Sequence, residues 1–327
     1  MRLLCLLLLT TTLSAQPYQF RRGLMGTWFT VTLYAPDSLA ARRAYDAVSA
    51  RMDTLNAVMS DYLDGSELNR LSETSGVAYR GAGRWVRVSP PLFAVLREAV
   101  AIARQSGGRF DPTIGPLSQL WRRAVRQRQF PPPRERRRAR RAVSYRYVEL
   151  DSATQSVRLR RPHMRLDLGG IGQGFAIDEA QRVLHQHGIR SFLLDLGGDI
   201  LAGDAPPDRP DGWRIGLGSG QIGGKPRAAN VPGMSTLKAD SVVLLKNAAI
   251  TTSGDTERHL DLGGKRYSHV MDPRSGLGLR RFVRATVLAP TGTYADALTK
   301  VFSVARSAQR KRLERRFPQA RVWIVEK

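Results

Sequence analysis

The glycine-rich segment RLDLGGIGQGFAIDEA, residues 165–180, constrains the fold of this chain more than any other feature of its sequence. It indicates a strand that enters a tight turn, followed by a helix with Ala176, Ala180, Val183 and Leu184 on one face. Free N–H groups at a helix N-terminus attract phosphate. Close packing of a neighbouring segment against the turn would need the same glycines. Both interpretations stay open from this motif alone.

The turn departs from the common nucleotide-binding fingerprints. Gly170 and Gly172 match the first two glycines of the dinucleotide pattern, but Phe175 stands where the third is required. The lysine of the nucleoside-triphosphate phosphate loop is also missing. Neither fingerprint therefore identifies a ligand.

The rest of the sequence predicts one α+β domain over residues 16–327, with mixed sheets flanked by helices. Residues 26–34 alternate between apolar and polar side chains as a strand does. Helices are predicted to begin at Asp37 or Ser38 and to span residues 89–108. Strands and helices alternate without regular βαβ spacing, which favours the α+β class. Further strands are predicted over residues 146–150, 156–160, 192–196, 213–217, 241–246 and 283–289.

The charge of the chain favours anionic partners. There are 52 Lys and Arg against 28 Asp and Glu, a formal net charge of +24. Residues 122–146 are arginine-dense around three prolines and predict a polar loop and a solvated helix. The alternative is a contact with nucleic acid or an anionic membrane surface. Nucleic-acid-binding domains usually show a recognisable fold or interleaved aromatic residues, so we expect no nucleic-acid partner. Association with a membrane surface stays open.

The N-terminus predicts a secretory signal peptide over residues 1–15. Arg2 precedes the apolar run Leu3 to Leu9, and small and polar residues lead to a cleavage site after Ala15. The run is shorter than the ~20 residues that a membrane-spanning helix needs. The single cysteine, Cys5, lies inside the signal. The mature protein is therefore expected to be exported and to contain no disulfide.

Other segments combine glycines, hydroxyl groups and acids in a characteristic order along the chain. They are LMGTWFTVTLY (24–34), MSDYLDGSELNRLS (59–72), GGRFDPTIGPLSQLW (107–121), LLDLGGDI (193–200), ITTSGDTERHL (250–260), YSHVMDPRSG (267–276) and ADALTKVF (295–302). Hydroxyl and N–H groups in the Thr252–Asp255 turn are suited to phosphate. Together with the glycine-rich segment, these motifs resemble the ApbE family of FAD:protein FMN transferases from about residue 24 to 304.

The resemblance implies a fold and an activity. Family members are exported bacterial enzymes with an α+β fold that contains elements resembling the T-fold. They cut FAD at its pyrophosphate, attach FMN to a threonine hydroxyl of a target redox protein through a phosphoester, and release AMP. The reaction needs Mg²⁺. The expected location is the periplasm or the outer face of the cytoplasmic membrane.

The resemblance also implies roles for individual residues. His269 matches a histidine proposed as general base, and Asp296 matches the aspartate that binds the metal. The metal ligands would be the Gly172 carbonyl, Asp296 and Thr299. Without the resemblance, a helix cap would be the favoured role of Asp296, and His269 could be a structural residue near Asp272. The residues matched to FAD contacts are Met25, Tyr62, Phe110, Asp111, Gly169, Phe175 and Met271.

Two positions depart from the family pattern. Gln173 stands where many members have lysine or an acid, and Lys300 stands where the family usually has a metal-binding threonine. Thr299 could supply the missing oxygen, or the Lys300 ammonium could replace a second cation beside the pyrophosphate. If neither holds, the chain would be a non-catalytic FAD-binding protein. A related alternative is an FAD pyrophosphatase that releases FMN and AMP.

Overall fold

The computed structural model describes residues 15–76, 83–217, 241–253, 259–262 and 264–326. The predicted signal peptide lies outside these residues except for Ala15. Gly254 and Asp255 of the predicted phosphate-suited turn also lie outside them.

The elements follow the chain in an α+β order. The helices are α1 (Ser38–Met59), α2 (Glu67–Glu73), α3 (Pro90–Ser106), α4 (Gly115–Gln127), α5 (Pro133–Arg141), α6 (Gly172–Gln186), α7 (Gly292–Val304) and α8 (Ser307–Glu314). The strands are β1 (Gln16–Leu24), β2 (Thr27–Ala35), β3 (Val86–Arg87), β4 (Val148–Asp151), β5 (Ser156–Leu159), β6 (Phe192–Leu196), β7 (Asp199–Ala202), β8 (Trp213–Leu217), β9 (Ser241–Leu245), β10 (Ala248–Ser253), β11 (His259–Leu262), β12 (Lys265–Ser268), β13 (Met271–Asp272), β14 (Leu277–Gly278), β15 (Val283–Ala289) and β16 (Arg321–Glu326). The predicted α+β class is confirmed.

A seven-stranded antiparallel sheet organises the core, in the order β1-β2-β6-β7-β10-β15-β16. Alternation on β2 turns Phe29, Val31 and Leu33 toward the helices, and each is fully buried. The next residue, Tyr34, faces the other side and packs edge-on against Trp213 of the β8–β9 ribbon. Helices α1, α6 and α7 thus cover one face of the sheet, and the ribbon covers the other.

Two helices predicted from their end signals are confirmed. Asp37 caps α1 by accepting a 2.7 Å hydrogen bond from the Ala40 N–H. Helix α3 ends at Gly107, whose φ of 65° is left-handed. Ser89 precedes α3 but does not cap it through its side chain, because its hydroxyl donates to Glu67 of α2 at 2.5 Å. This hydroxyl therefore joins two helices instead of capping α3.

The arginine-dense segment forms the end of α4 and the whole of α5. Ala139 is the buried residue of α5 and packs against α4, while the arginines of α5 extend outward. The predicted solvated helix is therefore present. Among the helices of the described residues, none combines the length and apolar character that crossing a membrane requires.

Candidate active site

The glycine turn is tied to the Phe110–Thr113 turn instead of to a sheet. The strand predicted before it is reduced to a single parallel bridge between Ile114 and Arg165. The Asp167 N–H donates to the Pro112 carbonyl at 2.8 Å, so this backbone hydrogen bond goes to a turn. The predicted helix after the turn is confirmed and begins at Gly172.

Asp167 connects the glycine turn to an exposed aromatic ring. One of its oxygens accepts from the Gly169 N–H at 2.8 Å, and the other lies 3.2 Å from the Arg122 guanidinium. Arg122 also pairs with Asp61 at 2.6 Å and stacks over the Tyr62 ring, 4.0 Å from its centroid. The Tyr62 side chain is 73% exposed, so Arg122 holds an accessible ring beside the glycine turn.

The burial of Asp61 makes stability depend on pH. Burial and, after it, the Asp167 charge raise the pKa of Asp61 to about 6, and the Arg122 guanidinium offsets only part of this rise. A raised pKa in the folded state means that folding takes up a proton between about pH 4 and 6, so stability falls as pH rises through this interval. Between pH 4 and 7, the free energy of unfolding of Asp61→Asn should fall by about 1–3 kcal/mol less than that of the wild type. Urea unfolding at pH 4, 5, 6 and 7 measures both. Parallel pH curves for the variant and the wild type would contradict the assignment.

Phe110 and Asp111 take different places in the site. Asp111 is buried and accepts from the Thr113 N–H and hydroxyl at 2.9 and 2.6 Å and from the Tyr145 N–H at 2.9 Å. Asp111 therefore stabilises the Phe110–Thr113 turn from its buried side. Phe110 lines the glycine turn, since a Cβ built on Gly170 would lie 3.4 Å from its ring.

Helices α6 and α7 cross where each has a glycine. A Cβ on Gly174 would lie 2.1 Å from the Gly292 carbonyl oxygen, and one on Gly292 would lie 2.6 Å from the Gly174 carbonyl oxygen. Both distances are below any real contact, so the crossing admits no side chain. For Gly174, the close-packing interpretation of the glycine-rich segment is therefore correct.

This crossing predicts a sharp difference between two glycines of one helix. Gly174→Ala is expected to destabilise the fold by about 3 kcal/mol, because the methyl group meets backbone that cannot move alone. Gly172→Ala is the matched control, since its Cβ would meet only Leu168 at 3.9 Å. Urea unfolding measures both. Equal stabilities of the two variants would contradict the tight crossing.

Asp296 lies at the centre of the crossing and is 1% exposed. One carboxylate oxygen accepts from the Gly174 N–H at 3.2 Å, and the other lies 2.5 Å from the Lys300 ammonium on the next turn of α7. The Thr299 hydroxyl, fully buried, donates to the Asp296 backbone carbonyl at 2.7 Å. Asp296 is thus held by α6 and by Lys300, while Thr299 is engaged within its own helix.

Asp178, a residue that the sequence did not single out, fixes where α7 begins. Its carboxylate accepts from the Gly292 N–H at 2.6 Å and from the Thr293 N–H and hydroxyl at 2.8 and 2.5 Å. It therefore caps α7 from α6 and sets the position of Asp296 one turn later.

Asp199 adds a second buried carboxyl group to this cluster. It pairs with Thr251 across β7 and β10, and alternation places both on the face that carries the helices. Burial and the Asp296 charge raise the pKa of Asp199 to about 8. Burial lowers the pKa of Lys300, but the charges of Asp296 and Asp199 outweigh it and raise that pKa overall. At neutral pH, Asp199 therefore keeps its proton beside the Asp296–Lys300 pair.

The turn that carries Met25 lies at the same end of the sheet. Met25 and Gly26 form the β1–β2 hairpin turn with φ of 48° and 74°. The Gly197 N–H donates to the Trp28 carbonyl at 3.1 Å, which joins this hairpin to the turn before Asp199. Met25 lines an open cleft of about 550 Å³.

His269 and Met271 lie at and just before β13, in a segment anchored next to Phe110. His269 is exposed, directly after β12. The Arg274 side chain of this segment donates to the Gly107 carbonyl at 2.8 Å. Met271 is 8% exposed and packs in an apolar cluster with Trp121 of α4. Its predicted FAD contact and that of Phe175, 7% exposed in the main core, stay predictions.

The sequence of the whole chain identifies its relatives. The family model of the ApbE family matches residues 25–324. The chain belongs to the ApbE family. It is 30% identical over 313 residues to the FAD:protein FMN transferase of Treponema pallidum, covering 90% of this chain and 80% of that protein. It is 32% identical over 268 residues to an FAD:protein FMN transferase of Klebsiella pneumoniae, covering 80% and 74%.

A solved ApbE structure has the same architecture. The crystal structure of the ApbE protein of Thermotoga maritima superposes with a TM-score of 0.78 at 25% identity, covering 95% of this chain and 94% of that one. The resemblance found in the sequence is confirmed. The glycine turn, Phe110 and the Asp296 cluster therefore form the candidate active site of an ApbE protein.

Proposed function

We propose that this chain is an FAD:protein FMN transferase. It cleaves the pyrophosphate of FAD, joins the FMN phosphate to a threonine hydroxyl of an acceptor protein, and releases AMP. One observation carries the proposal. The glycine turn and Phe110, which the resemblance matches to FAD, form one cluster around Gly170 and Gly174 with Asp296, which it matches to the metal aspartate.

Residues in and beside the cluster suit the aromatic rings and the pyrophosphate of FAD. The accessible Tyr62 ring offers a surface on which flavin or adenine can stack. The exposed Gly169 lets the pyrophosphate approach the backbone of the glycine turn, next to the N-terminus of α6. In the transfer, the threonine oxygen forms a bond to the FMN phosphorus as the bond to the AMP oxygen breaks. The threonine proton passes to a base, for which the exposed His269 is our candidate.

Magnesium, which the resemblance implies, does not fit the residues at this position. Of its three implied ligands, Asp296 is the one carboxylate, and its two oxygens are held by the Lys300 ammonium and the Gly174 N–H. Among the described residues, no three His, Cys, Asp or Glu side chains are grouped to hold a metal ion. Magnesium requires near-octahedral oxygen ligands. We therefore assign no step of the reaction to a metal.

A transfer assay tests the proposal. The mature chain is incubated with FAD and a flavin-acceptor domain that carries the target threonine, with MgCl₂ present. We expect a fluorescent acceptor band and an FMN mass increment on that threonine, and none on a Thr→Val acceptor. Free FMN and AMP without labelling would indicate a pyrophosphatase instead. Tight FAD binding without AMP release would indicate a non-catalytic flavin-binding protein.

We further propose that the chain acts outside the cytoplasm, where it meets its acceptor. The signal-like sequence at residues 1–15 supports this location. Cell fractionation with N-terminal sequencing tests it, with a mature chain beginning near residue 16 expected in the periplasmic fraction. The exposed arginines of α5 support contact with an anionic membrane surface, which a vesicle sedimentation assay tests.

A further inference from the structure

Lys300 occupies a place that surface lysines do not. Its ammonium lies 2.5 Å from an Asp296 oxygen, and its side chain is only 23% exposed. Its partner Asp296 is 1% exposed, so the pair is built into the protein. Breaking such a pair is costly, and solvated lysines rarely form one.

The Lys300 side chain reaches the glycine turn. A Cβ built on Gly170 would lie 3.3 Å from Lys300 Cγ and 3.6 Å from Cε, and 3.4 Å from the Phe110 ring. The lysine stem therefore lies against the turn that we assign to the pyrophosphate. An ammonium has three donors, and one of them is used on Asp296.

The same oxygen of Asp296 cannot serve a divalent cation as well. A magnesium ion binds carboxylate oxygen at about 2.1 Å. The ammonium already holds the Asp296 oxygen that faces the next turn of α7, and the other oxygen accepts from the Gly174 N–H. Two cations on one buried oxygen would repel each other strongly.

We infer that Lys300 is the resident cation of this active site, contacting the FAD pyrophosphate in place of a divalent metal ion. The inference rests on the proposed function and deepens it. Lys300 stabilises the charge that develops on the phosphate oxygens as the threonine O–P bond forms and the P–O bond to AMP breaks. It neither gives nor takes a proton in this step. AMP leaves with the electron pair of the broken bond.

Chelation tests this inference directly. The mature wild-type chain is assayed for acceptor labelling in 5 mM MgCl₂ and in excess EDTA. We expect the two rates to agree within about 3-fold, because the lysine needs no metal partner. Loss of labelling in EDTA, with normal labelling in magnesium, would overturn the inference and leave the proposed function standing.

Lys300→Thr gives the opposite expectation. The variant replaces the ammonium with an oxygen ligand and frees an Asp296 oxygen for a cation. We expect labelling to fall by about 100-fold or more in EDTA and to recover in magnesium. Lys246→Thr, an exposed lysine on the β9–β10 connection, is the control that should behave as the wild type does. A Lys300→Thr variant with unchanged rates under both conditions would also overturn the inference.

A binding experiment separates the inference from the activity. FAD affinity is measured by flavin fluorescence quenching in EDTA, and Mn²⁺ binding by electron paramagnetic resonance. We expect the wild type to bind FAD without metal and to bind no Mn²⁺ beside FAD, whereas Lys300→Thr binds both together. If the wild type labels no acceptor under any condition, the proposed function fails. Metal-independent FAD affinity would still support the role of Lys300, and strict metal dependence would overturn it.

Discussion

Asp296→Asn is expected to reduce FMN transfer by about 100-fold to 1000-fold. The amide keeps the size of the side chain but leaves the half-buried Lys300 ammonium without the charge of Asp296. The ammonium is then free to turn away from the pyrophosphate, so the charge on the phosphate oxygens is stabilised less. Single-turnover labelling of the acceptor at saturating FAD measures the loss.

A matched variant shows whether the loss is specific. Asp195→Asn changes a carboxyl group on the neighbouring strand β6, which accepts from the Gly198 N–H at 2.9 Å. It should retain transfer within a few-fold, since it lies outside the Asp296–Lys300 pair. Circular dichroism of Asp296→Asn establishes that the variant folds. Full transfer activity in folded Asp296→Asn would remove Asp296 from the site.

Asp178→Ala is expected to destabilise the chain by about 3 kcal/mol, the largest stability loss we predict apart from the glycine crossing. The carboxylate holds two N–H groups and one hydroxyl at the start of α7. Removing it leaves these buried donors without an acceptor. The start of α7 would also shift, so transfer should fall together with stability. Urea unfolding and the labelling assay measure the two effects.

Thr291→Ala is the matched control for this cap. The Thr291 side chain also caps α7, accepting from the Tyr294 N–H at 3.3 Å, but it is exposed. Its loss should cost about 1 kcal/mol and leave transfer unchanged. Equal losses for the two variants would mean that Asp178 acts only as an ordinary cap.

Much of the fold could be predicted because its signals are local. The alternation of β2 and the end signals of α1 and α3 depend only on residues close together in the sequence. The structure contains all three elements. The order of the ApbE motifs predicted the family and pointed to the candidate site around Asp296. Strand β1 was missed, because its residues carry little apolar alternation and it pairs only with β2 at the sheet edge.

The parts that sequence reasoning missed depend on partners far apart in the chain. Asp178 contacts residues more than a hundred positions away, and nothing in its spacing signals them. The composition of residues 122–146 predicts a solvated segment, yet Arg122 at its start pairs with both Asp61 and Asp167. The strand expected before the glycine turn is absent because its backbone hydrogen bond goes to Pro112. Each of these follows from tertiary contacts that periodicity does not encode.

The crossing of α6 and α7 at two glycines has an evolutionary consequence. Backbone lies against backbone there, so the distance between the helices cannot drift as side chains change. Other side chains of α6 and α7 can therefore be substituted without changing the distance between the two helices. A lysine codon becomes a threonine codon through a single-base change. One mutation at position 300 could therefore replace the lysine ammonium with an oxygen ligand for a bound metal ion. Dependence on environmental metal would then be a readily reversible trait.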